Sequence, residues 1–194
     1  MEGAVEFIKP PPQEPFCLFL SLTYPHPPYS VAEPWYSMID REEVPKRIPT
    51  PENWENRPLV LKELYERQRL DNWNQKEWQE LRATYLGMCA RIDHQFGQII
   101  DALKNENLYD DTAVFMFSDH GDYTGDFGMV EKNHNTFYDS LTNVPFIIKP
   151  PQNIDIEPGV SDALVELVDF PATVEDLTGI ELDYRQFGQS LLPV

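Results

Sequence analysis

The stretch "VFMFSDHGDYTGDFGMVEKNHNTF", Val114 to Phe137, decides how the rest of the chain is read. It opens as an apolar run and breaks off at Ser118-Asp119-His120-Gly121. A short apolar run bounded by polar and glycine residues predicts a buried strand over 112–118, followed by a loop. Gly121, Gly125 and Gly128 punctuate that loop, and Lys132 and His134 follow. Asp119 offers a carboxylate oxygen and His120 an imidazole nitrogen, both ligands for divalent cations, and a strand end holds them rigidly. The bland alternative is a turn-capping acid beside a hydrogen-bonded histidine. A lone Asp-His pair would favour the bland reading; what surrounds this pair in the expected fold does not.

Working outward, "PFCLFLSLT" at 15–23 is a second apolar run bounded by proline and reads as another buried strand. It leads into "YPHPPY" at 24–29, where prolines stiffen the loop around His26. From 74 to about 106, Trp78, Leu81, Tyr85, Met88, Ile92, Phe96, Ile99 and Leu103 recur three or four apart. That spacing is one apolar stripe on a long helix. Asn74 followed three positions on by Glu77 predicts a capping box at its start. Residues 60–72 read as a more exposed helix, 144–149 as a third strand, and 162–180 as one or two helices with Asp169 as N-cap and Gly179 as the stop.

Strand, long helix, strand predicts a right-handed crossover between parallel strands. Continuous apolar strands suit a sheet covered on both faces. The expected fold is therefore α/β, a mostly parallel sheet sandwiched by helices. Ligands gather at the carboxyl ends of such strands. His26, Asp119 and His120 would then share one edge, with Lys132 on the loop beside them. A lysine there is a point charge suited to an anionic oxygen. His134 and Asn135 lie on the same loop and are secondary candidates for substrate contact. Asp122 and Asp126 read as loop acids, and His94 as a structural or exposed helix residue.

The composition narrows the partners. With 33 acids against 15 bases the formal charge is −18. Nucleic acid is disfavoured, because a phosphate backbone asks for clustered lysine and arginine. No apolar run reaches the roughly 20 residues that span a bilayer, and residues 1–15 lack the basic and apolar regions of a signal peptide. Cys17 and Cys89 read as two buried free thiols. No G-x-S-x-G, P-loop or G-x-G-x-x-G pattern occurs.

"FSDHGDYTGDFGMVEK", "FYDSLTNVPFII", "FLSLTYPHPPY" and "YLGMCARIDHQFGQIIDALKN" together resemble the C-terminal half of the catalytic domain of type I sulfatases, in the alkaline phosphatase superfamily. The resemblance runs from about Phe16 to the end, where "GQSLLPV" also matches. It implies an alkaline phosphatase-like fold and metal-dependent hydrolysis of a small sulfate ester. Asp119 and His120 would be two ligands of a divalent metal, usually calcium. His26 and Lys132 would contact the sulfate oxygens and help the leaving group.

The family's nucleophile is a formylglycine made from cysteine or serine in C/S-x-P-S/A-R. Neither Cys17 nor Cys89 stands in that motif, and the family's first strand with its acidic ligands is absent too. The resemblance therefore implies that residues 1–194 are part of a single catalytic domain, whose N-terminal half carries the formylglycine. A phosphonate or phosphate ester hydrolase of the same superfamily, and a non-catalytic remnant that binds a partner, are the alternatives.

Overall fold

The computed structural model describes residues 1–133 and 136–192. The chain divides into two compact units, Met1–Asn153 and Ile154–Val194.

The first unit is organised by α4 (Gln75–Asn105), the helix the apolar stripe predicts. Its capping box forms: the Asn74 side chain accepts the N–H groups of Lys76 and Glu77, and Glu77 accepts the Asn74 N–H at 2.7 Å. These bonds satisfy donors that a helix start otherwise leaves open. Near its C-terminal end, Ala102 and Leu103 bury against Ile8 of α1 (Glu2–Ile8), with Phe16, Leu108 and Val114 packed around them. The short α2 (Trp35–Met38) packs on α4. The exposed helix expected over 60–72 is α3 (Leu59–Gln68). It gives Leu61 to a second core, with Tyr123, Phe127, Met129 and Leu141. That core fixes the loop after Asp119-His120, so the loop is a packed element. Leu141 belongs to α5 (Asp139–Thr142).

Two of the expected strands form, as β1 (Val114–Phe117) and β2 (Phe146–Lys149). They pair with Phe117 opposite Phe146, whose rings stack at 5.4 Å. The α/β class holds; this pair runs antiparallel, while the parallel crossover expected between 15–23 and 112–118 involves a run that is assigned no strand. The third expected strand is not assigned. Residues 15–23 are assigned to no strand, although Phe16 packs in the same cluster as Val114 of β1, and Phe19 is 74% exposed. Apolar character alone makes no strand; a ladder needs a neighbour to take its N–H and C=O groups. For the same reason Cys17 is exposed, against the expected buried thiol, while Cys89 on α4 is half-buried.

In the second unit the expected helical region resolves to α6 (Asp169–Thr178). Gly179 stops it in the left-handed conformation at φ 66° and donates its N–H to Glu175. Asp169 is the first helical residue and not the N-cap, which is Val168. Its buried carboxylate accepts the N–H groups of Glu166 at 2.8 Å and Gln189 at 2.9 Å. Fully buried Thr173 donates to the Asp169 carbonyl and accepts the Leu191 N–H. These side chains pin the returning segment onto the helix.

Candidate active site

The site assembles where β1 ends. Asp119 and His120 follow it directly, and the backbone then runs against α5. The Gly121 N–H donates to the Leu141 carbonyl at 2.8 Å. A Cβ at Gly121 would fall on the carbonyl oxygen of Ser140. The glycine is required by this close approach. Gly125, at φ 98°, does supply a left-handed turn, and an added Cβ there would meet the Trp78 ring.

His120 donates from Nδ1 to the Gly121 carbonyl at 2.8 Å, because a carbonyl oxygen only accepts. Its Nε2 is left facing Asp119, 3.6 Å from Oδ2. Asp119 also accepts the His120 N–H at 3.1 Å. Its carboxylate is 81% exposed, so its contacts are local and its outer face is open.

His26 arrives from the proline-rich loop and meets Lys132 across 106 positions of sequence. Its Nδ1 donates to the Pro27 carbonyl at 2.8 Å. Its Nε2 then accepts from Lys132 Nζ at 3.0 Å, since an ammonium has only donors. The His26 and His120 rings lie edge to face with centroids 6.5 Å apart. The structure thus brings together His26, Lys132, Asp119 and His120, as the sequence reading expects. His134 and Asn135 lie outside the described residues.

The other loop acids are occupied. Asp126 accepts from Arg82 at 3.2 Å and from the Ile48 N–H at 2.8 Å. Asp122 accepts the Tyr29 hydroxyl on both oxygens, at 3.0 and 2.8 Å, and the Thr124 N–H at 2.8 Å. Burial raises the Asp122 carboxyl above its usual range, against the lowering effect of these bonds. Burial, then the Asp122 charge, pushes the Tyr29 phenol well up, so it stays a neutral donor. The sequence reading has no role for Tyr29, because a tyrosine in a proline-rich loop carries no pattern of its own. His94 is exposed and lies against the Trp35 ring at 5.1 Å.

Asp119 and His120 supply one oxygen and one nitrogen donor, chemically suited to a divalent cation. The backbone carbonyl on His120 Nδ1 orients its ring as ligand histidines are commonly oriented. Among the described residues, no group of three or more His, Cys, Asp or Glu side chains is placed to hold a metal. The pair fits as part of a coordination shell. No described helix is long and apolar enough to cross a membrane.

Comparison with known proteins gives a consistent picture. The family model described as Sulfatase matches residues 1–180. Arylsulfatase K of Bos taurus is 31% identical over 195 residues, covering 93% of this chain and 35% of its own length. A multifunctional alkaline phosphatase superfamily protein of Trinickia caryophylli is 26% identical over 208 residues, covering 99% and 40%. Among solved structures, a phosphonate monoester hydrolase of Silicibacter pomeroyi superposes with a TM-score of 0.75 at 30% identity. That match covers 87% of this chain and 35% of the other. The chain therefore spans well under half the length of these relatives.

Proposed function

The chain belongs to the sulfatase family, and from that premise we propose that it supplies the anion-contacting part of the active site of a sulfuric ester hydrolase. One observation carries the reading: His26 and Lys132 meet at 3.0 Å beside His120, at the end of the strand that presents Asp119. Sulfatases use a divalent metal, and calcium is the ion proposed here, with Asp119 and His120 as two of its ligands. Bound there, the metal would polarise the ester and offset charge on the sulfate oxygens.

The chain's own residues do the rest. Lys132 directs an ammonium at the sulfate oxygens, where charge builds in the transition state. His26 holds that ammonium through Nε2, and the pair is proposed to assist the departing oxygen. The bond from Nδ1 to the Pro27 carbonyl fixes the ring that does this. His134 and Asn135 are proposed as substrate contacts from the same loop. The 1–194 stretch is read as a single partial catalytic domain, and the nucleophile would be a formylglycine in a C/S-x-P-S/A-R segment outside these 194 residues.

The phosphonate ester reading has a specific support in the Silicibacter pomeroyi enzyme, whose likeness is substantial. The same cation arrangement serves tetrahedral phosphorus. The test uses the polypeptide that carries both this chain and a C/S-x-P-S/A-R segment. It should hydrolyse p-nitrophenyl sulfate, and Lys132→Ala and His26→Ala should each lower kcat/KM by about 10²-fold or more. Turnover of phenylphosphonate esters with sulfate esters untouched would transfer the assignment to the second reading. Wild-type turnover retained in Lys132→Ala would remove Lys132 from the mechanism.

A further inference from the structure

We propose that Tyr29 is a positioning residue whose hydroxyl ties together the three segments that carry His26, His120 and Lys132. This rests on the reading of those residues as a site. The Tyr29 hydroxyl donates to the Asp122 carboxylate at 2.8 and 3.0 Å and accepts the Glu131 N–H at 2.8 Å. Asp122 lies two residues after His120, Glu131 directly precedes Lys132, and His26 lies three residues before Tyr29. One oxygen atom is therefore the junction of all three.

The loop itself is closed at the same place. The Tyr123 N–H donates to the Glu131 carbonyl at 2.9 Å, forming its neck. Tyr29 then fastens that neck to the proline-rich loop, beside the bond that His26 of the same loop makes to Lys132. The Tyr29 ring is seated in turn against Tyr85 of α4, edge to face at 6.3 Å. The hydroxyl thus refers a contact between His26 and Lys132 to a rigid helix. Without it, Glu131 loses its acceptor, Asp122 loses a donor, and the 3.0 Å bond between His26 and Lys132 loses its outer frame. Small displacements of positioned groups are costly in rate.

Tyr29→Phe keeps the ring and its seat on Tyr85 and deletes only the hydroxyl. In the full 194-residue chain, amide hydrogen exchange should quicken at Glu131 by roughly threefold to tenfold, the range expected for one lost hydrogen bond. Amides of α4 should not change, and Tyr85→Phe should leave Glu131 as it is. Unchanged exchange at Glu131, or acceleration spread equally through α4, overturns the proposal. In the polypeptide with sulfatase activity, Tyr29→Phe should lower kcat about tenfold while KM moves less than about twofold. An unaltered kcat also overturns it. Absence of ester hydrolysis by the wild type would strike the functional reading alone, since the exchange result decides the role of Tyr29 by itself.

Discussion

Cys89 shows how the buried polar cluster behind the site shapes individual residues. Burial, reinforced by the nearby Asp122 charge, pushes its thiol up to about 11. Thiolate, not thiol, is the reactive species. At about pH 8 a disulfide reagent should therefore label exposed Cys17 quickly and Cys89 only on opening of the fold. The same shift has a sign for stability. A thiol whose folded value exceeds its unfolded one contributes fully below the unfolded value, near 9, and that contribution fades as pH rises toward about 11. The phenols of Tyr29 and Tyr85 are shifted the same way by burial and act in the same direction. The urea midpoint should fall between pH 9 and 11, and Cys89→Ala should remove part of the fall. A midpoint flat over that window contradicts the prediction. At this scale the sequence was informative where chemistry is written in residue type. Asp119, His120, His26 and Lys132 could all be picked out. Tyr29 could not, because its role depends on the acid and the amide that meet it from across the fold.

Elements were legible in proportion to how local their causes are. The start of α4 was read from Asn74 and Glu77, because a capping box is made within four residues. Asn74→Ala should cost about 1 kcal/mol and lower Tm by roughly 2–4 °C in a chain of this size. Asn74→Asp should retain most of that stability, since its carboxylate accepts the same N–H groups. Equal melting of Asn74→Ala and wild type would show that the box is not a determinant of the helix. The stop at Gly179 was legible for the same reason, as left-handed backbone is a property of one residue. Asp169 shows the limit. Its type marks a helix start, yet its carboxylate bonds Gln189, twenty positions on. Strand pairing is less local still. The composition of β1 and β2 announced strands, but their antiparallel register depends on how the chain returns through the packed loop and α5.

At the scale of the molecule, the run over 15–23 and the proposed metal ligands pose the same physical question. The apolar pattern of 15–23 encodes burial between neighbours, yet Leu18, Leu20 and Leu22 are each 37% exposed. Asp119 and His120, the ligands proposed for a metal, bring two donors where calcium takes roughly six to eight oxygen ligands. Both features ask for partners that the described residues do not supply, and the relatives the chain matches are far longer than it. Two consequences follow for the 194 residues taken alone. The roles proposed for Lys132 and His26 stabilise charge and attack nothing, and neither cysteine stands in the formylglycine motif. The purified chain should therefore give no turnover of p-nitrophenyl sulfate above buffer. Its calcium isotherm should be no tighter than about 1 mM, the weak end of protein calcium sites. Asp119→Ala should abolish whatever binding heat remains, because Asp119 is the one hard anionic donor proposed at the site. Robust turnover by this chain would place a nucleophile among residues assigned none. Micromolar calcium binding that survives Asp119→Ala would move the metal away from the end of β1, and with it the reason for reading His120 as a ligand.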